Sequence, residues 1–286
     1  MIKFSNNIIL ALSLLFSSPV VLALVPPQLT TYDELQAEAE EKDKEDINPN
    51  YWLFAISIED YEETDDIAFS SRSAQAFVKT AQYRLGISKR RTVEIIDEKA
   101  TSGRIQDKIM SGLERVQKGD TIFFYYSGHG IPDVKTKEPY ILPRDMTPAT
   151  ITKNKFFKLD NIYSALSNSN AGKVIAFVDS CFSGSTDNKS LFKGVAAARL
   201  KPKKVAVDES KMVVITAGTD SQFSNQYADK RHRLFSYYLI KGLHQKKFDM
   251  KSLYKYVRNN VEEVSYELGD NYIQTPTIQG DMDIKF

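Results

Sequence analysis

"VIAFVDSCFSGS", Val174–Ser185, ends an apolar run with the only cysteine in the 286 residues. An unbroken apolar run closed by a charged residue reads as a strand buried on both faces, the pattern of a parallel sheet covered by helices. Outward from it, "DTIFFYY" (120–126) repeats the pattern, and "YWLFAISI" (51–58), "TVEII" (92–96) and "KMVVITA" (211–217) are further runs of strand length. Helical spacing falls between them. Ala74, Phe77, Ala81 and Leu85 share a face, as do Ile105, Ile109, Leu113 and Val116 in a helix opening at Thr101. "LDNIYSAL" (159–166) and "LFSYYLIKGL" (234–243) complete the series. Strands alternating with helices predict an α/β fold, with a mostly parallel central sheet flanked by helices on both faces.

The N-terminal region has a different composition. Lys3 precedes an apolar stretch from Ile8 to Phe16, and Val21-Leu22-Ala23 follow as small residues of the kind a signal peptidase reads. Residues 1–23 are therefore expected to be a signal peptide, and the protein to be exported, periplasmic or secreted. The alternative, an uncleaved anchor, is opposed by an apolar core well short of the ~20 residues that a spanning helix needs. Residues 24–50, rich in Glu, Asp and Lys from Asp33 to Asp46, are expected to be an acidic linker or solvated arm, and residues 51–286 one domain. Without residues 1–23 the chain has 37 basic and 37 acidic side chains, because the leader holds one lysine and no acid. That balance gives no long-range attraction to nucleic acid or anionic lipid.

A single cysteine in an oxidising compartment forms no internal disulfide, so it is a buried thiol, an intermolecular link or a reactive group. In open parallel sheets, active groups collect beyond the carboxyl ends of the strands. Cys181 lies there, just after Asp179. The strand "TIFFYY" runs into a loop of its own, "SGHGIPD", where His129 sits between two glycines. With the two strands as neighbours, imidazole and thiol face each other: the base takes the thiol proton and later returns one to the leaving amine. The backbone amides of Cys181 and Gly130 are then the candidates for holding the oxyanion of a tetrahedral intermediate.

"FFYYSGHG" (123–130) with "VDSCFSGS" (178–185) resembles the paired signature of the caspase-fold cysteine peptidases, closer to metacaspases and bacterial caspase-like proteins than to animal caspases. The resemblance runs from about Trp52 to Gly280 and includes "HRLFSYYLIKGL" (232–243) and "QTPTIQGD" (274–281). It implies a caspase/haemoglobinase fold, a Cys181–His129 dyad and hydrolysis of peptide bonds. It also implies a first substrate pocket made acidic by Asp179, hence cleavage after Arg or Lys. The second aspartate of the metacaspase pocket is absent: Ser73 stands before Ala74 in its place, with Asp65 and Asp66 nearby but outside the motif. Asp179 has another reading, as a helix cap or loop-orienting group. Calcium is a family-level expectation only, and no metal ligands stand out in the sequence.

The rival to a peptidase is a caspase-fold scaffold or binding protein without useful turnover. His232 reads as a surface or loop-packing residue, and His244 as solvated or interacting with a helix dipole. The basic segment 188–210 is the kind of exposed connection that proteases nick, with Lys193, Arg199 and Lys204 as candidate self-cleavage positions. The expected partner is a peptide or protein substrate, with no nucleic acid and no stable membrane span.

Overall fold

The apolar runs form strands where their pattern predicts them. A computed structural model of the chain describes residues 33–35, 46–183, 185–186, 189–191, 200–219 and 222–286. The expected signal peptide, most of the acidic segment, Lys193 and Arg199 lie outside these residues, whereas Lys204 is described and exposed. The strands in chain order are β1 (Tyr51–Ser57), β2 (Thr92–Ile96), β3 (Thr121–Ser127), β4 (Gly130–Pro132), β5 (Pro139–Ile141) and β6 (Lys173–Asp179). They continue with β7 (Ser185–Thr186), β8 (Lys189–Ser190), β9 (Met212–Thr216), β10 (Gln226–Tyr227), β11 (His232–Arg233) and β12 (Thr277–Gly280). The helices are α1 (Ser70–Arg84), α2 (Ser102–Leu113), α3 (Leu159–Ser167), α4 (Leu234–His244) and α5 (Met250–Glu267).

Six strands make the central sheet in the order β12-β9-β6-β3-β1-β2. All neighbours are parallel except β12, which runs antiparallel to β9 at the edge. Successive strand side chains point to opposite faces, so each buried strand feeds two cores. Phe54, Phe124 and Ala176 pack with Ile105 and Ile109 of α2 and Ile162 and Leu166 of α3. Leu53, Phe123, Phe177 and Ile215 pack with Phe77 of α1, Leu239 of α4 and Leu253 and Val257 of α5. Full burial of one such side chain is worth about 1.5–3 kcal/mol. A strand apolar on both faces is stable only between two helix layers, which is why β3 and β6 are central.

The chain goes from β1 outward to β2, then returns to β3 and continues in the opposite direction. Strand order therefore reverses between β1 and β3, and loops leaving the carboxyl ends there diverge and open a crevice. Two features depart from expectation. Asp33–Leu35 were expected to be solvated, yet Asp33 and Leu35 are buried, Leu35 in the α1/α4/α5 core. Helix α5 is unassigned in the sequence reading, although Asp249 caps it by accepting from Ser252 N–H at 2.8 Å. Among the described residues no helix is long and apolar enough to cross a membrane.

Candidate active site

The register of the central strands puts the two predicted reactive residues in adjacent turns. Ser127 of β3 is paired with Asp179 of β6, and His129 and Cys181 each lie two residues further along, on the same rim. The two turns are in contact. A Cβ on Gly130 would lie 2.5 Å from the Cys181 carbonyl oxygen and 2.4 Å from Phe182 Cδ1; one on Gly128 would lie 2.7 Å from the Tyr61 hydroxyl. Neither glycine has positive φ. Close approach of backbone to its neighbours, not a left-handed turn, excludes a side chain at both positions.

His129 is fully buried and fixed at every polar atom of its backbone. Its N–H donates to the Tyr61 hydroxyl at 2.7 Å, and its carbonyl accepts from Tyr126 at 2.6 Å. The Tyr61 ring lies against the imidazole, centroids 4.7 Å apart. Nε2 is 2.7 Å from the backbone carbonyl of Asp65. A carbonyl only accepts, so Nε2 carries the hydrogen and, in the neutral ring, Nδ1 has the lone pair. Burial holds the His129 pKa down to about 4. Cys181 is partly exposed. Burial raises its thiol pKa, opposed by the backbone N–H of Ser224 and the charge of Arg233. At neutral pH the pair is thus an uncharged imidazole and a protonated thiol.

Gly130 has a further property. Leu142 N–H donates to His129 C=O at 3.1 Å, so 129 and 142 form a hydrogen-bonded pair of the β4–β5 hairpin. Pairs alternate along an antiparallel ladder, which turns the Gly130 N–H away from β5. That leaves it directed out of the hairpin, in the turn that lies against Cys181.

Asp179 sits otherwise than expected. It is buried, and its carboxylate accepts from the Ser236 N–H at 3.1 Å, the Ser236 hydroxyl and the Ser224 hydroxyl. Ser236 is in the first turn of α4, so Asp179 satisfies one of the unpaired N–H groups of that helix and lies at the positive end of its dipole. The alternative reading as a cap is what the side chain does. Asp179, expected to meet the substrate directly, is not among the residues lining the cavity that contains Cys181, whereas its partner Ser224 is. Ser73, in the position of the absent aspartate, is also buried and bonded to the His232 ring and the Arg233 backbone N–H.

Cys181 opens onto a cavity of about 280 Å³ lined also by Asp66, Gly128, Ser224, Asn225 and Arg233. A larger cavity of about 350 Å³ is lined by Ser180, Phe182, Tyr163 and Lys203; it does not include the thiol. The exposed Asp66 is the carboxylate on the wall of the Cys181 cavity. Opposite in sign is Arg233, whose guanidinium donates to the Ser224 carbonyl and, at 3.2 Å, to its hydroxyl. The sequence reading singled out neither Arg233 nor Ser224, Tyr61 or Tyr126, because their roles arise from contacts across the chain. Among the described residues no group of three or more His, Cys, Asp or Glu side chains fits a metal ion, so the family-level expectation of calcium finds no ligand set there. His244, expected near solvent, is buried with Nε2 2.9 Å from Thr80 Oγ1.

A family model described as the caspase domain matches residues 52–286. A crystal structure of a protein from Geobacter sulfurreducens is similar at TM-score 0.59 and 19% identity, covering 83% of this chain and 98% of that one. The Drosophila initiator caspase Dronc aligns at TM-score 0.48 and 13% identity, covering 85% of this chain and 84% of that one. No curated protein matches the sequence. The first structural likeness carries the fold; the second is too low to add to it.

Proposed function

The chain belongs to the caspase-domain family, and on that premise we propose that it is an exported cysteine endopeptidase that cleaves peptide bonds after Arg or Lys. One observation supports the reading: Ser127 and Asp179 are paired in the β3–β6 register, and His129 and Cys181 each follow two residues later in the chain. In the proposed reaction the substrate carbonyl lies above Cys181. Nδ1 of His129 takes the thiol proton as sulfur attacks the carbonyl carbon, because neither group is charged at rest. The oxyanion is held by the N–H groups of Gly130 and Cys181. The imidazolium returns the proton to the leaving amine, and water then hydrolyses the thioester by the same route. The Asp65 carbonyl keeps the ring in the required tautomer.

Preference for a basic side chain is supported by Asp66 on the cavity wall, with Asp179 adding negative charge from behind Ser224. A second reading, cleavage after an acidic residue, is favoured by Arg233: among the described residues its Nε has no hydrogen-bond partner and its guanidinium no ion pair. Export is supported by the N-terminal sequence alone. Self-cleavage after Lys204 is compatible with its exposure.

The test combines a peptide panel with a thiol-reactive peptide inhibitor. Wild type should label and Cys181→Ala should not, and arginyl peptides should be cleaved faster than lysyl ones, since a guanidinium pairs bidentately with a carboxylate. Asp66→Asn should lower kcat/KM for arginyl peptides by an amount equivalent to roughly 1–3 kcal/mol. Faster cleavage after aspartate, lost in Arg233→Gln, would establish the acidic reading. Wild type inert toward every peptide would leave the scaffold.

A further inference from the structure

The second buried imidazole, His232, lies outside the proposed reaction. It is fully buried, with Nε2 3.2 Å from Asp33 Oδ1 and Nδ1 3.1 Å from Ser73 Oγ. Carboxylate, imidazole and hydroxyl in line make the composition of a serine-type triad, but all three are buried and none lines the cavity that contains Cys181. No substrate reaches Ser73 there. The group beyond it is instead the backbone of Arg233, whose N–H donates to Ser73 Oγ at 2.9 Å. The guanidinium of Arg233 in turn holds Ser224 by its carbonyl and hydroxyl. Ser224 ends the chain of contacts: its hydroxyl donates to Asp179, and its backbone N–H bears on the Cys181 thiol.

We propose that Asp33, His232 and Ser73 form a positioning relay that fixes Arg233 and Ser224 against Cys181, so that the segment preceding the catalytic domain sets the reactivity of the thiol. The inference rests on the reading of Cys181 as the reactive group. Three independent anchors fasten that segment. Asp33 Oδ2 is 3.0 Å from Arg72 Nε of α1, Glu34 accepts from the Tyr237 hydroxyl at 2.9 Å, and Leu35 is fully buried. Desolvated polar groups that satisfy one another are stiff, because each lost bond leaves a buried group unpaired. The relay therefore holds β11 at one position, and β11 carries Arg233. Both Ser224 N–H and the Arg233 charge favour the thiolate, so displacing them makes the thiol harder to ionise. Ser73 has a use in this arrangement that an aspartate does not: it accepts the Arg233 N–H without adding a second buried carboxylate beside Asp33.

The experiment is alkylation of the full chain by iodoacetamide across pH, in wild type, Asp33→Asn and Ser73→Ala. With one cysteine in the sequence, the signal is that of Cys181. The expected result is a midpoint moved to higher pH and, at pH 7.5, a rate about three- to tenfold lower, with the limiting rate at high pH unchanged. A merely structural role changes melting temperature without moving the midpoint. Ser73→Ala removes a single hydroxyl, so it decides the matter if Asp33→Asn does not fold. Wild-type midpoints in the folded variants would overturn the relay. Alkylation needs no peptide cleavage, so an inert wild type overturns the peptidase reading alone and leaves this test standing.

Discussion

His129 and His232 are both fully buried, yet their surroundings are opposites. His232 has a carboxylate on one nitrogen and a hydroxyl on the other, the partners usually sought around a catalytic histidine. On His129 the Nε2 partner is the backbone carbonyl of Asp65, and the Tyr61 ring lies against the imidazole. Neither ring lines the cavity that contains Cys181; the carbonyl-supported ring lies in the turn after β3, against the turn that carries Cys181, whereas the carboxylate-supported ring lies in the β10–β11 hairpin, bonded to Ser73 of α1. Place in the fold, more than the list of hydrogen-bond partners, is what makes His129 the proposed base and His232 the proposed strut.

The sharpest way to break that comparison is to remove each ring in turn. Cys181→Ala should abolish peptide hydrolysis and His129→Ala should lower kcat/KM by at least ~10². His232→Ala should lower it by no more than about tenfold. Its main effect should be on folding, about 2–4 kcal/mol in denaturant titration, because Asp33 and Ser73 lose their buried partner. Equal kinetic losses in the two histidine variants would erase the distinction.

Acid titration gives the next largest effect. The folded His129 pKa of about 4 lies below its ordinary 6.5. Between those values the unfolded chain binds a proton that the folded chain does not, so stability falls as pH drops through that window and is unaffected above it. The loss amounts to roughly 3 kcal/mol. Denaturant titrations at pH 7 and pH 4 should show wild type losing more stability than His129→Gln by about that amount. In kinetics, the acid limb of kcat/KM should have its midpoint near 4 and not near 6.5.

A smaller effect is expected at Gly130. Alanine there places a methyl against the Cys181 carbonyl and the Phe182 ring, so the two turns must separate. A fall of roughly ten- to a hundredfold in kcat with KM little changed is the expected signature of a disturbed oxyanion site. Gly128→Ala presses on the Tyr61 and Tyr126 hydroxyls instead and should act through the placement of His129. Should Gly130→Ala retain full kcat, the oxyanion assignment of its N–H would be wrong.

Much of this architecture was legible before any coordinates. The continuous runs 121–127 and 173–179 required a sheet buried on both faces, and the helices between them followed from apolar spacing. Helix α5 carries equally local signals, with Asp249 as its cap and Met250, Leu253, Val257 and Val261 on one face. The positions of His129 and Cys181 were legible because a reactive side chain two residues beyond the end of an apolar strand is a local pattern. Asp179 was half legible: its place at the strand end was evident, but the first turn of α4, 57 positions away, decides what its oxygens bind.

The sequence by itself determined the order of strands and helices, the two turns that bear the reactive residues, and the family they resemble, since each depends on side chains close together along the chain. Tertiary structure alone decided which strands are neighbours, that Asp33 reaches His232 and Arg233 reaches Ser224, and that burial depresses His129. Desolvation and hydrogen-bond pairing are properties of everything packed around a group. Those surroundings come from positions as distant in the chain as 33 and 232, and no local pattern records them.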